Sequence, residues 1–273
     1  MTTATVALSA QGASKVFTSR TGRRRHGALA VHDVTLTVAA GEFVCFIGPS
    51  GCGKTTVLNM FAGSVLPTVG EVRCHGSVIE GLQVGVGYVT QDDTLLPWRT
   101  LAQNVEFGLE LSHVARRERR DRAAFWIERV GLTDFSQHYP HQLSGGMRKR
   151  AALARTLALD PQLVLMDEPF GALDAHSRHL LQADLLRIWD ETGKTIVFVT
   201  HDLTEAITLA DRVVAFSRRP GRIKAIHEIT LPRPRDPFTV HELDGYQDVY
   251  RRLWEDIHDE MVLADSDTGG GDG

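Results

Sequence analysis

What the sequence lacks narrows the field first. Of 273 residues only three are cysteines, Cys45, Cys52 and Cys74, with no paired spacing. Neither a disulfide framework nor a cysteine metal site is expected, and a reducing compartment is implied. Long apolar runs are missing too: nothing approaches the roughly eighteen residues that cross a bilayer. Met1 to Gly12 carry neither the basic start nor the apolar core of a secretory signal. The chain is therefore expected to be soluble and to reach a membrane only through a partner. Nor is there an excess of positive charge. At a net charge of −4, bulk electrostatics predict no nucleic-acid partner, and Arg23-Arg24-Arg25-His26 reads as an exposed loop tip rather than a binding patch. Ordinary hydrophobic content over this length allows one large α/β domain, or a core plus a small subdomain.

Against these absences stands one dense motif. Phe43 to Ile47 form an apolar, strand-like run, Gly48-Pro49-Ser50-Gly51-Cys52-Gly53-Lys54-Thr55-Thr56 follow, and Val57 to Met60 begin a helical pattern. This fits G-x-x-x-x-G-K-[ST] with the strand before and the helix after that the pattern requires. Gly48, Gly51 and Gly53 permit a tight turn with N–H groups facing inward, and the next helix adds its N-terminus, so phosphate oxygens are surrounded. Lys54 supplies a point charge for the terminal phosphates, and the Thr55 hydroxyl is a ligand for Mg²⁺. A plain glycine turn would leave the Lys-Thr pair unexplained. The implied ligand is a nucleoside triphosphate.

The rest of the chain supplies elements in a consistent order. Val6 to Phe17 reads as a strand, and Val34, Leu36 and Val38 mark another after a polar excursion from Thr18 to Gly27. Phe17 either stacks on a purine base or is a core or hairpin aromatic. The helix opened at Lys54 is predicted to end near Gly63, and Thr68 to Ile79 and Val84 to Val89 supply short strands. The second of these leads into Gln91-Asp92-Asp93. Polar residues leaving a buried strand sit where open α/β sheets bind ligands, so Gln91 reaches the nucleotide's metal or water, or else is a loop glutamine without a role. Leu95-Leu96-Pro97-Trp98 is an apolar loop cluster, tucked into a local core or offered to another protein. Thr100 and Gln103 form a capping box, Ser112 to Val130 a charged helical region, and Leu95 to Tyr139 together a helical insert.

Leu143-Ser144-Gly145-Gly146-Met147 opens a further helix, with Ser144 as N-cap and Leu153 and Leu157 on its buried face. It is a capped helix and nothing more, or a second anion site. Leu163 to Asp167 reads as a buried parallel strand ending in an acid, with Asp167 placed to support Mg²⁺ and Glu168 to act as base for water, the lesser alternative being a pair of acids that caps a turn. Thr195 to Val199 is another, bringing His201 to the same sheet edge, able to hydrogen-bond a γ-phosphate, with a satisfied structural histidine as the weaker reading. Beyond the extended Leu231-Pro232-Arg233-Pro234-Arg235, the residues Tyr246, Val249, Tyr250, Leu253, Trp254 and Ile257 share a helical face expected to pack on the core. Asp265 to Gly273 is expected to be a disordered tail.

Taken in order, Phe17, Gly48 to Thr56, Gln91, Leu143 to Met147, Asp167-Glu168, Ala172-Leu173-Asp174 and His201 resemble the nucleotide-binding subunit of ATP-binding-cassette (ABC) transporters, over roughly residues 5 to 230. The resemblance implies an α/β P-loop NTPase fold with a mixed RecA-like core sheet, an N-terminal antiparallel β subdomain and a helical signature subdomain. On that basis residues 1–230 form the ATPase domain with the helical subdomain at about 95–158, residues 231–264 a C-terminal extension with an amphipathic helix, and 265–273 the tail. ATP and Mg²⁺ are implied. So is a head-to-tail homodimer, or a pair with a second ATPase subunit, in which Ser144, Gly145 and Gly146 of one copy close over ATP held by the phosphate loop of the other. By the same analogy Phe17 stacks adenine, Gln91 senses the metal that Thr55 and Asp167 ligate, Glu168 polarises water, Asp174 crosses the dimer seam and His201 contacts the γ-phosphate.

Met147 stands where the commonest family pattern has glutamine, so the carry-over rests on Ser144 and the backbone of Gly145 and Gly146. That departure, with Leu95 to Trp98, Asp167 to Asp174 and Ser217-Arg218-Arg219-Pro220-Gly221-Arg222-Ile223, resembles the nitrate, sulfonate and taurine importer branch. The function so implied is ATP hydrolysis driving import of a small anionic solute at the cytoplasmic face of the membrane. Permease subunits would be contacted near Gln91 and Leu95 to Trp98, and an external solute-binding protein would take part indirectly. The alternative is a soluble ATP-switched interaction protein outside transport. A simple phosphate-loop kinase would not need Ser144 to Gly146.

Overall fold

The computed structural model describes residues 5–21, 24–171 and 173–268. Strands β1 (Val6–Thr21) and β2 (Arg24–Ala39) pair antiparallel from Val6 opposite Ala39 to Thr21 opposite Arg24. The ladder passes through the basic stretch: Arg24, Arg25 and His26 are strand residues opposite Thr21, Arg20 and Ser19, where a loop tip was expected, and Arg23 lies outside the described residues. Antiparallel pairing needs only backbone donors and acceptors, so it continues after the apolar alternation has stopped.

The fully buried β3 (Phe43–Ile47) leads into the glycine loop and α1 (Lys54–Ala62), which stops at Gly63 in a left-handed cap with φ 74°. The Thr68 to Ile79 stretch is split at His75-Gly76 into β4 (Val69–Cys74) and β5 (Ser77–Val78). After β6 (Val86–Val89), α2 (Leu101–Leu111) starts on the expected capping box. There the Gln103 N–H donates to Thr100 Oγ1 at 3.3 Å and the Thr100 N–H donates to Gln103 Oε1 at 3.0 Å. The charged region forms α3 (Arg116–Arg129), followed by α4 (Gly145–Leu157), β7 (Leu163–Asp167) and α5 (Ala175–Thr192). The chain continues through β8 (Thr195–Val199), α6 (Leu203–Leu209), β9 (Arg212–Phe216), β10 (Ile223–Glu228) and α7 (Tyr246–Thr268).

These elements divide into two compact units, one built from the chain up to Val84 and from Thr195 onward, the other from Gly85 to Lys194. In the first unit β2, β1, β4 and β5 make an antiparallel sheet in that order. A mixed sheet has β3 parallel to β8 on one side and to β9 on the other, with β10 antiparallel beyond β9. β3 and β8 are continuous apolar runs, buried throughout, as strands covered on both faces must be. Phe43 packs on Phe198 between β3 and β8, and Phe46 on Phe216 between β3 and β9.

Helix α7 packs on this unit through Tyr246, Val249, Leu253 and Ile257, all buried, and through His227 Nε2 at 2.6 Å from Asp256 Oδ2. The stripe is narrower than the six residues expected. Trp254 is 41% exposed and stacks along the helix between Tyr250 and His258 instead. The backbone is helical to Thr268, past the point where a tail was expected to begin, and 269–273 lie outside the described residues.

In the second unit β6 and β7 are parallel neighbours, from Val86 beside Leu163 to Val89 beside Met166. Helices α2, α3 and α4 pack together, burying Leu101, Leu109, Trp126, Ile127, Leu153 and Leu157. The unit takes in β6, β7 and α5 as well as the stretch 95–158.

Candidate active site

In the first unit β3 and β8 run parallel with Phe46 beside Val199, so one sheet edge receives both the glycine loop and Thr200-His201. Gly53 is the N-cap of α1 at φ 105°, where L side chains are strained, and a Cβ there would lie 2.8 Å from Val31 Cγ2. Among the described residues no side chain caps α1 and no acid sits in its first turn. Neither a side-chain acceptor nor a carboxylate therefore competes for the positive end of this helix. The Lys54 side chain is buried, and its ammonium donates to the carbonyl oxygens of Gly48 at 2.7 Å and Pro49 at 2.9 Å, with the Cys52 sulfur at 3.8 Å. The lysine lies folded over the loop that it would leave to meet a phosphate. Burial raises the Cys52 thiol pKa against the pull of Lys54, so this cysteine is a neutral packing group.

Pro49 is buried, Ser50, Gly51 and Thr55 are exposed, and Thr56 is half-buried. His201 is exposed where β8 ends, and the Thr200 hydroxyl before it donates to Glu205 at 2.5 Å. Phe17 lies on β1 opposite Ala28, 43% exposed, with Lys15 Nζ 5.4 Å from the ring centre. It is a surface aromatic of the hairpin, not a core residue.

The sequence did not reveal what braces the loop. The Gly221 N–H donates to the Ala30 carbonyl and its own carbonyl accepts from the His32 N–H, both at 2.9 Å. A Cβ at Gly221 would collide with the carbonyl oxygen of Cys52. The Ser217 to Ile223 stretch is therefore a backbone wedge between β2 and the phosphate loop. Its one signal in sequence was a turn-forming Pro-Gly pair.

In the second unit Val89 beside Met166 makes Thr90-Gln91 and Asp167-Glu168 leave adjacent strand ends. Both carboxylates are half-buried. Glu168 has φ 43°, an uncommon left-handed conformation for a non-glycine residue and one that concentrates at functional sites. Burial first, and then the charge of Asp167, raise the Tyr88 phenol pKa, keeping it protonated. Ser144 is the N-cap of α4, its Oγ accepting from the Met147 N–H at 3.3 Å. Ser144 and Gly145 are exposed and Gly146 half-buried. Asp174 caps α5, accepting from the Ser177 N–H at 2.9 Å, while Ala172 lies outside the described residues.

Around Gln91 both alternatives for the apolar cluster apply, to different residues: Leu95 is buried and Trp98 is 71% exposed. A second unforeseen feature is the basic face of α4, where Arg148, Lys149 and Arg155 all bond to residues Gln91 to Thr94. The seven-residue spacing of Arg148 and Arg155, two helical turns, would have placed them on one face.

A glycine loop between a buried strand and a helix start that no side chain caps, in a protein where two further parallel strands, β7 and β8, lead into Asp167-Glu168 and Thr200-His201, defines a nucleoside-triphosphate-hydrolysing α/β protein. The family pattern described as ABC transporter matches residues 31–171. The chain belongs to the ABC transporter family, as an ATP-binding ATPase subunit. It is 46% identical to an uncharacterized ABC transporter ATP-binding protein of Methanocaldococcus jannaschii, over 92% of this chain and 93% of that protein. It is 47% identical to the taurine import ATP-binding protein TauB of Yersinia pestis, over 72% of this chain and 77% of TauB. The nitrate import ATP-binding protein NrtD of Synechocystis is 43% identical over 79% of this chain and 80% of its own. A solved dimeric ATP-binding cassette in a post-hydrolysis state with ADP and Pi matches with a TM-score of 0.69 at 32% identity, covering 81% of this chain and 98% of that one. No described helix is long and apolar enough to cross a membrane.

Proposed function

We propose that this protein is the ATP-hydrolysing subunit of an importer for a small anionic solute of the nitrate, sulfonate or taurine type, working as a head-to-tail dimer on the cytoplasmic face of the membrane. The observation that carries the reading is the exposed start of α4. Ser144, Gly145 and Gly146 offer a hydroxyl and bare N–H groups to an anion, although the chain already has a phosphate-binding helix start at α1. A second such start is explained if it serves ATP held by another copy. In this reading Phe17 stacks on adenine, Gly48 to Thr56 hold the phosphates, Asp174 lines the seam, and His201 bonds the γ-phosphate. Glu168 takes the proton from water as that water attacks the γ-phosphorus and the bond to the β-phosphate oxygen breaks.

The donor set fits Mg²⁺. Among the described residues no three His, Cys, Asp or Glu side chains come together to hold an ion. The Thr55 hydroxyl, the Gln91 amide and the Asp167 carboxylate are hard oxygen donors of the sparse kind that Mg²⁺ accepts alongside substrate phosphates. Bound there, it would neutralise charge on the β- and γ-phosphates. The exposed Trp98, a few positions after Gln91 in the chain, suits a helix of a permease subunit, through which an external solute-binding protein would be served.

Replacing Glu168 by Gln keeps the shape and removes the base. Hydrolysis should fall at least about a hundredfold, while size-exclusion with ATP should show a dimer that wild type does not accumulate. Undiminished turnover would remove Glu168 from this role. The solute is tested by growth of a deletion strain on taurine, alkanesulfonates or nitrate as sole sulfur or nitrogen source, and normal growth on all of them contradicts the class proposed.

A further inference from the structure

Resting on the dimer reading above, we propose that Arg148 is a positioning residue that ties the Gln91 to Thr94 loop to the serine-diglycine start of α4, making these two segments shift as one piece. The guanidinium has two arms in use. Its Nε donates to Asp93 Oδ2 at 2.8 Å, and its Nη1 donates to the carbonyl oxygen of Leu143, the residue before Ser144, at 2.7 Å. A planar fork cannot follow one of these partners and stay with the other unless both move. Asp93 in turn accepts from the Leu95 N–H through its other oxygen at 3.3 Å, so the link continues toward Pro97 and the exposed Trp98.

Two more cations on the same helix hold the remainder of the loop. Lys149, a buried ammonium, donates to the Gln91 carbonyl. Arg155 donates to both the carbonyl and the hydroxyl of Thr94 at 2.7 Å, and to the Asp93 carbonyl at 3.2 Å. Thr94 has φ 47°, a left-handed backbone that a β-branched residue keeps only when its surroundings hold it. The loop is thus not a free connection between β6 and α2. Anything that displaces it, a metal at Gln91 or a partner pressing on Trp98, also displaces the carbonyl beside Ser144. The Arg148 and Asp93 side chains are only 35% and 28% exposed, which shields the pair from full salt screening.

The test compares Arg148→Gln, Asp93→Asn, the double variant and Arg148→Lys in the full-length protein. Two quantities are read: the affinity of the dilute chain for a fluorescent ATP analogue, and the protein concentration that gives half-maximal ATPase activity. Each of the first two singles should raise that concentration about tenfold, as expected for losing one charge-assisted link, and leave analogue affinity within about twofold. The double should be no worse than either single because both remove one connection, and Arg148→Lys, which keeps the charge without the fork, should fall between. Additive singles, an unmoved half-maximal concentration, or analogue affinity lost in step with activity would each overturn the tie. Ser144→Arg separates the two levels of argument. If it leaves the concentration dependence unmoved, the dimer reading itself fails; if it abolishes activity while Arg148 and Asp93 variants behave as wild type, only the tie fails.

Discussion

Asp174 shows how much one side chain settles locally. Its carboxylate accepts from the Ser177 N–H, which lowers its pKa below the usual aspartate value. A depressed carboxylate contributes stability that is complete above the unfolded pKa, about 3.9, and is lost as pH falls through the folded one. Asp174→Ala should therefore lower the thermal midpoint of the nucleotide-free chain at neutral pH, and the gap to wild type should close as the solution is acidified below that range. Asp174→Asn, which still accepts the hydrogen bond, should retain a pH-independent part of the cap. A gap that stays constant down to strong acid would mean that the carboxylate charge contributes nothing. Residues of this kind were legible because their partners lie a few positions away in sequence. Lys54, Gly53 and Ser144 belong with Asp174: a helix start declares itself in four or five letters. Gly221 does not, because the Cys52 carbonyl it must admit is 169 positions distant and only the folded chain brings them together.

At the scale of elements the same division holds. The Thr100 and Gln103 capping box, the αL stop at Gly63 and the apolar runs of β3, β7 and β8 follow from local pattern, and each stands where the sequence put it. The β1–β2 hairpin outran its pattern because hydrogen bonding carried the ladder beyond the last inward-facing apolar residue. Helix α7 shows the opposite error. Six apolar residues share a helical arc, but β9, β10 and α6 cover only the stripe through Tyr246, Val249, Leu253 and Ile257, which leaves Trp254 outside. Spacing gives the direction of an amphipathic face, whereas its width depends on what lies beneath it. The basic face of α4 was illegible for a related reason. Arginine and lysine on a helix read as solvated charge until the loop that accepts their hydrogen bonds is seen beside them.

For the whole molecule the question is whether one chain owns a complete reaction centre. Lys54 and Ser144 sit at two separate helix starts, each free of acidic residues in its first turn, and each suited to an anion. If both served one nucleotide in one chain, a variant lacking either would be dead, and mixing two dead variants would yield nothing. If each chain instead completes its partner's site, a Lys54→Ala chain still offers a sound Ser144, and a Ser144→Arg chain still offers a sound phosphate loop. A mixed dimer then has one centre with both parts intact and one with neither. Random pairing of equal amounts makes half of the dimers mixed, each with one working centre of two, which sets a ceiling of about one quarter of wild-type activity if the centres fire independently. The measurement is ATPase rate against mixing ratio at fixed total protein, expected to peak at equal amounts and to vanish at both ends. A rate equal to the sum of the separate variants at every ratio would place the full centre within a single chain.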